Sequence, residues 1–186
     1  MSGIGVRPSR DDDLPAIQRI YAHHVLTSVA SFEVAPPDVA ELARRRAEVL
    51  ARGLPYLVAE AAAGGPPLGY AYASPYRARP AYRHTDEDSL YVAPEALGRG
   101  CGRALLAALI AACGALDVRE IVAVIADRAN TPSIRLHQAL GFREVGCLEG
   151  VGFKFGRWID TVLMQCSING EKPPPPELFP DRLTTG

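Results

Sequence analysis

The chain has 186 residues, 48% of them hydrophobic, and a formal net charge of −1 at pH 7. A chain of this length can bury one substantial core, so we expect one α/β domain rather than two. The near-neutral charge excludes a general attraction to nucleic acid or to an anionic membrane, and any bound anion must therefore be held by local groups.

The first half of the chain predicts three strands and two helices. One helix follows the acidic cluster at residues 9–13, and the next begins at Pro36–Asp38 and ends at Gly53. A polar, aromatic loop is expected over residues 75–85. The strands are predicted at residues 4–7, 55–60 and 68–74, the last two as a hairpin across the turn residues 64–67.

The second half predicts two further helices between strands. The fourth strand, at residues 89–93, ends at Pro94 and leads into the segment LGRGCGRALLAALI at residues 97–110. The apolar run at residues 120–126 is typical of a strand buried on both faces. A helix starts at Thr131 and is capped by Gly141, and strands are expected at residues 142–148 and 159–167. We expect residues 1–168 to form the domain and residues 169–186 a proline-rich tail.

The four cysteines are spread along the chain without a C-x-x-C pair, and the histidines are not grouped with them. This spacing favours reduced thiols over a zinc site or a disulfide framework. The sequence contains neither a secretory signal pattern nor an apolar run long enough to span a bilayer. We therefore expect a cytoplasmic protein without a metal and without a membrane partner.

The glycine segment suggests an anion site, because a glycine-rich turn between a strand and a helix presents backbone N–H groups to a phosphate. It lacks the lysine of a nucleoside-triphosphate loop. It also fails the dinucleotide pattern, in which a third glycine would fall on Arg103 or Leu105. A turn that merely permits close packing of helix and sheet is the alternative from the residues alone.

Three parts of the chain carry a family resemblance: the strand at 89–94, the glycine segment, and NTPSIRLHQALGF at 130–142. In order and spacing they resemble the GCN5-related N-acetyltransferase (GNAT) superfamily over roughly residues 6–166. Within it, the chain is similar to the phosphinothricin and methionine sulfoximine N-acetyltransferases. That similarity rests on four stretches, VASFE (29–33), ARPAYRHTDE (78–87), PSIRLH (132–137) and GFKFGRWID (152–160).

The resemblance implies an α/β (α+β) fold with a mixed, mostly antiparallel sheet of about six to seven strands flanked by helices. It also implies acetyl-CoA as co-substrate, a small amino acid as acceptor, and a homodimer. Leu97 stands where the superfamily has Arg or Gln, and Arg99 or Arg103 is expected to supply the missing charge. The predicted coenzyme-binding residues are Leu90, Tyr91, Val92, Gly98, Arg99, Gly100, Cys101, Gly102, Arg103, Asn130 and Ser133.

Two residues are predicted to carry the chemistry. Glu87 matches the family's general base for the acceptor amine, whereas the residues alone suggest a solvated acid in the run 86–88. His137 matches the acid that assists the leaving thiolate, and a histidine held at a helix–sheet interface is the alternative. The developing oxyanion is assigned to a main-chain N–H of residues 91–92.

The acceptor site is expected to bind a zwitterion that carries a further anionic or polar group. Phe32, Arg79 and Tyr82 follow from the resemblance, and Arg77 from its proximity. Two other functions stay open: acetylation of a different amine, and a non-catalytic acyl-CoA-binding domain. The arginine-rich loop disfavours a cationic acceptor, and the presence of both Glu87 and His137 disfavours a domain without activity.

Overall fold

The computed structural model describes residues 3–61 and 64–169. This part of the chain forms a seven-stranded sheet with helices on both faces. Residues 170–186, most of the predicted tail, lie outside the described residues. The helices are α1 (Leu14–Thr27), α2 (Val39–Ala51), α3 (Cys101–Gly114) and α4 (Thr131–Gln138); the strands are β1 (Gly5–Pro8), β2 (Tyr56–Glu60), β3 (Gly69–Pro75), β4 (Thr85–Val92), β5 (Glu120–Ala126), β6 (Arg143–Lys154) and β7 (Arg157–Ser167).

The strand order is β1-β2-β3-β4-β5-β7-β6. All neighbours pair antiparallel except β4 and β5, which pair parallel from Thr85↔Glu120 to Asp88↔Ala123. Beyond that pair the two strands separate. The expected mixed, mostly antiparallel sheet is confirmed. Its parallel pair, β4 and β5, separates after Asp88 and Ala123.

Alternation along β4 gives the sheet two distinct faces. Tyr91 contacts α1 through an edge-on pair with Tyr21. Leu90 and Val92 point to the opposite face, where they approach Gly102 at the start of α3. Helices α1 and α2 therefore cover one face, and α3 and α4 cover the other.

The helix boundaries follow the predicted signals closely. Asp38 caps α2 by accepting a 2.8 Å hydrogen bond from the Glu41 N–H, as short polar side chains do at helix starts. Gly141 follows α4 with a φ of 94°, a conformation that glycine adopts without strain. None of the helices in the described ranges has the length and apolar character needed to cross a bilayer.

The start of β4, the end of β6 and the start of β7 were predicted wrongly, and each correction lengthens a strand. β4 begins at Thr85 instead of residue 89, because the acidic residues there pair with β3 up to Pro75↔Asp86. The hairpin of β6 and β7 also continues to a tight turn in which Phe155 and Gly156 have φ values of 51° and 73°. Positive φ at both turn residues is typical of a two-residue hairpin loop. The glycines at 150 and 152 suggest the end of a strand in the sequence, yet they lie within β6.

Candidate active site

A cavity of about 860 Å³ lies where β4 and β5 separate. Ser89 to Val92 of β4 form one wall and residues 123–126 of β5 another. The loop after α1, the glycine segment and the first turns of α4 complete it. Because the strands no longer pair at this point, main-chain groups of β4 face the cavity instead of a neighbouring strand.

The glycine segment serves both purposes that the sequence left open. Gly98 and Gly100 have φ values of 72° and 83°, which favour glycine, and a Cβ at either would meet nothing within 4 Å. Their main chain is thus open to a ligand. Gly102 serves packing instead, because a Cβ there would lie only 3.2 Å from the Leu136 side chain.

Gly100 is also the N-terminal cap of α3, and within the described chain no side chain caps that end. The first four N–H groups of a helix have no partner inside the helix. They carry the positive end of the helix dipole and face the cavity, which suits a diphosphate. The segment therefore fits the phosphate portion of acetyl-CoA.

Nearly all of the predicted coenzyme residues line this cavity. Arg99 is exposed and is not among the lining residues, whereas Arg103 is. Leu97 is 63% exposed at the cavity. The predicted residues that line it are Leu90, Tyr91, Val92, Gly98, Gly100, Cys101, Gly102, Arg103, Asn130 and Ser133.

The thiol of Cys101 is packed inside the fold, with 1% of the residue exposed. Burial raises the pKa of this thiol to about 11. A protonated, enclosed thiol is a poor nucleophile, because the thiolate is the reactive form. Cys101 is therefore suited to packing beneath the glycine turn and not to carrying an acetyl group.

Glu87 lies in β4 on the α1/α2 face and lines the cavity. Burial, followed by the neighbouring charge of Asp88, raises the pKa of Glu87, and Arg77 opposes this shift. A half-buried carboxylate with a raised pKa suits a general base, since its affinity for a proton is closer to that of the amine it serves. Its burial argues against a fully solvated acidic run.

His137 is buried in α4 and is held at both ring nitrogens. Nε2 lies 3.1 Å from Asp88 Oδ2, and Nδ1 lies 2.8 Å from the Ser133 carbonyl oxygen. Burial disfavours the charged ring, but the hydrogen bond and the charge of Asp88 outweigh it and raise the pKa of His137. A protonated ring that donates to both oxygens satisfies this geometry. These contacts favour the structural alternative for His137.

Of the four predicted acceptor residues, one lines the cavity and three do not. Phe32 lines the cavity, next to residues 28–31 of the same loop. Arg77, Arg79 and Tyr82 are exposed in the connection between β3 and β4 and are not among the lining residues. Arg77 lies over the ring of Tyr76, 4.9 Å from its centre, and its charge reaches Glu87.

His24 also lines the cavity, although no role was predicted for it from the sequence. Its Nε2 donates a 2.9 Å hydrogen bond to the Val92 carbonyl oxygen, at the end of β4 beyond its pairing with β5. Burial lowers the pKa of His24, and the bond to Val92 opposes that shift; the neutral ring makes this bond when its proton is on Nε2. The position of His24 in a helix could not predict this contact, because its partner lies in a strand 68 residues further along the chain.

A sheet that opens between two parallel strands, with a glycine turn and a helix start at the opening, defines an acyl-CoA-dependent acetyltransferase. A family model described as Acetyltransferase (GNAT) domain matches residues 6–163, and the chain belongs to this family. A phosphinothricin N-acetyltransferase of Alcaligenes faecalis is 59% identical over 164 residues, which cover 88% of this chain and 82% of that protein.

Two further relatives agree with this assignment. The L-methionine sulfoximine/L-methionine sulfone acetyltransferase of Pseudomonas aeruginosa is 39% identical, with 91% of this chain and 98% of that protein covered. The crystal structure of a GNAT superfamily phosphinothricin acetyltransferase from Sinorhizobium meliloti, in complex with AcCoA, has a TM-score of 0.88. Its sequence is 42% identical to this chain, and the match covers 100% of each chain.

Proposed function

We propose that the protein transfers the acetyl group of acetyl-CoA directly to the α-amino group of a phosphinothricin-like or methionine sulfoximine-like amino acid. The observation that carries this proposal is the meeting of Glu87 and the open glycine turn in one cavity. The relatives named for these acceptors support the choice of substrate.

In this mechanism the glycine turn holds the diphosphate through main-chain N–H groups. Glu87 accepts a proton from the acceptor ammonium, because only the neutral amine attacks the thioester. The oxyanion is assigned to a main-chain N–H of residues 91–92, on the edge of β4 that β5 no longer covers. When the tetrahedral intermediate collapses, the C–S bond breaks and coenzyme A leaves as a thiolate, and the second proton lost by the acylated nitrogen returns to it through solvent. His137 is given a positioning role beside Asp88.

The acceptor is tested with a thiol-release assay on phosphinothricin, methionine sulfoximine, methionine sulfone and spermidine. Release is expected with one or more of the three amino acids, because relatives of the chain are named for phosphinothricin and for methionine sulfoximine or sulfone. Release with spermidine alone would contradict the proposed substrate class. Binding of acetyl-CoA without release with any of these acceptors would instead support a non-catalytic domain.

We further propose a homodimer formed through the β6–β7 hairpin. β6 is the last strand of the sheet order, so its outer edge has no strand partner among residues 3–61 and 64–169. The exposed apolar side chains on this hairpin suit a buried interface, and a second copy presents the same surface. They are Val145, Leu148, Val151, Phe153, Phe155 and Trp158.

Sedimentation velocity tests the homodimer. The wild type is expected to sediment as a dimer, and Phe153→Ser combined with Trp158→Ser as a monomer. Leu26→Ser, at an exposed apolar position on α1, should leave the dimer unchanged. A monomeric wild type would end this proposal without affecting the enzymatic one.

The proposed cellular setting is the cytoplasm. All four cysteines are free, and Cys101, Cys113 and Cys166 are buried, a pattern typical of reducing compartments. With the proposed activity, cells that produce the protein should survive phosphinothricin used as a herbicide. Growth of a sensitive strain on phosphinothricin, with and without the gene, tests that expectation.

A further inference from the structure

Lys154, at the end of β6, is a charged side chain drawn into the fold. It is 5% exposed, which is rare for a lysine. Its Nζ donates hydrogen bonds of 2.9 Å to the Ser28 carbonyl oxygen and 2.6 Å to the Ser31 carbonyl oxygen. The side chain therefore connects the hairpin to a loop that lies more than 120 residues earlier in the chain.

The position of those carbonyl groups explains how the ammonium is tolerated there. Ser28 is the C-terminal cap of α1, and the negative end of a helix dipole stabilises a cation at that point. The Phe155 ring lies 5.0 Å from Nζ and presents an aromatic face to the same charge. The lysine therefore holds two main-chain oxygens of the loop. Burial lowers the pKa of Lys154, and the charge of Glu33 opposes that shift.

The same loop is held a second time by the same hairpin. The Phe32 ring packs directly on Gly152, where an added Cβ would lie 2.4 Å from the ring. Close packing of this kind requires glycine. The Tyr21 hydroxyl, 2.9 Å from Ser31 Oγ, holds the loop from the α1 side. Residues 28–32 are thus fixed between α1 and the hairpin.

All five residues of this loop line the cavity, on the same side of the sheet as Glu87. We propose that Lys154 is a positioning residue for the acceptor site: it holds residues 28–32 in the conformation that forms the acceptor wall, without touching the reacting atoms. This inference rests on the proposed function. It assigns the hairpin a role in acceptor binding that is separate from the glycine turn and from acetyl-CoA.

Lys154→Met is the first test, because methionine keeps the apolar stem and removes all three donors. Since misplaced binding groups weaken substrate positioning, the acceptor KM is expected to rise about tenfold or more, with kcat changed by less than about threefold. The acetyl-CoA dissociation constant, measured by calorimetry, should stay within about twofold, since the glycine turn is untouched. Lys154→Arg keeps a donor at this position, so its acceptor KM should lie closer to the wild-type value than that of Lys154→Met.

Gly152→Ala is the second, independent test, because it displaces Phe32 and leaves Lys154 in place. It should give the same defect confined to the acceptor. Arg143→Met removes an exposed cation from the other end of β6 and serves as the matched control with wild-type constants. Acceptor constants that do not change in Lys154→Met and Gly152→Ala would overturn the proposal, and so would an acetyl-CoA constant that rises with the acceptor KM.

Failure of the proposed function is recognised separately, since the wild type would then acetylate none of the three amino acids. In that case amide hydrogen exchange still tests the contact. Exchange in residues 28–33 of Lys154→Met should accelerate while exchange in α3 stays unchanged. Equal exchange in wild type and variant would show that Lys154 does not hold the loop.

Discussion

The buried pair of Asp88 and His137 predicts a stability that depends on pH in a defined direction. The two residues are 8% and 4% exposed, so solvent screens their interaction little. Asp88→Asn keeps the shape and one acceptor oxygen but removes the charge. In the variant the neutral ring donates from Nδ1 to the Ser133 carbonyl oxygen and accepts at Nε2 from the asparagine amide, so both ring nitrogens keep a partner but neither bond involves a charged group.

The magnitude follows from the lost charge. A hydrogen bond to a charged group contributes about 1.5–3 kcal/mol, against about 1 kcal/mol for a neutral one. We therefore expect Asp88→Asn to lower the free energy of unfolding by about 0.5–2 kcal/mol in mildly acidic solution. Urea unfolding measures this difference directly.

The sign of the pH dependence is fixed by the raised pKa of His137. A raised folded-state pKa gives stability that is fully present below the unfolded value of about 6.5 and is lost as pH rises through the folded value. The gap between wild type and Asp88→Asn should therefore be largest near about pH 6 and smaller near about pH 9. Glu149→Gln, which removes the exposed pair with Arg128, should cost less than about 1 kcal/mol. Equal stability of wild type and Asp88→Asn near pH 6, or a gap that widens with pH, would refute a charged pair.

Four further predictions concern the cavity. Glu87→Gln should lower kcat by about 10²–10⁴-fold with acetyl-CoA binding unchanged, since a positioned base contributes that much; a rate within a few fold of wild type would remove Glu87 from the mechanism. The wild-type rate should rise with pH as Glu87 loses its proton. Leu97→Arg should lower the acetyl-CoA KM by adding a charged donor beside the glycine turn. A titration that shows unchanged or weaker binding of acetyl-CoA would contradict this. Cys101→Ala should retain turnover, whereas complete loss in a folded variant would indicate an acyl-cysteine.

The sequence predicted the helices and the sheet well because their signals are local. Apolar periodicity located α3, and the caps at Asp38 and Gly141 are formed by residues within one turn of the helix ends. The start of β4 was missed for the opposite reason. The acidic residues at 86–88 are unfavourable in an isolated strand, and only their pairing with β3 and β5 places them there.

In the candidate site, too, features encoded locally were predicted and contacts between distant parts of the chain were not. The glycine turn and Glu87 lie in one continuous stretch, so the family motif could locate them. The contacts of Lys154 with Ser28 and Ser31, and of His24 with Val92, connect distant parts of the chain. No spacing in the sequence encodes such contacts. More of the predicted coenzyme residues than of the predicted acceptor residues therefore line the cavity, and their roles stay predictions.

Strand alternation resolves the acidic run that sequence alone could not interpret. Asp86 and Asp88 lie on the face of β4 covered by α3 and α4, and Glu87 lies on the other face. Glu87 and Asp88 both line the cavity, whereas Asp86 is buried and its burial raises its pKa to about 6. Asp88 is engaged by His137, which leaves the half-buried Glu87 as the acid placed to accept a proton. Three consecutive acids of nearly identical intrinsic acidity thus acquire three different environments, and this geometry selects Glu87 as the candidate base.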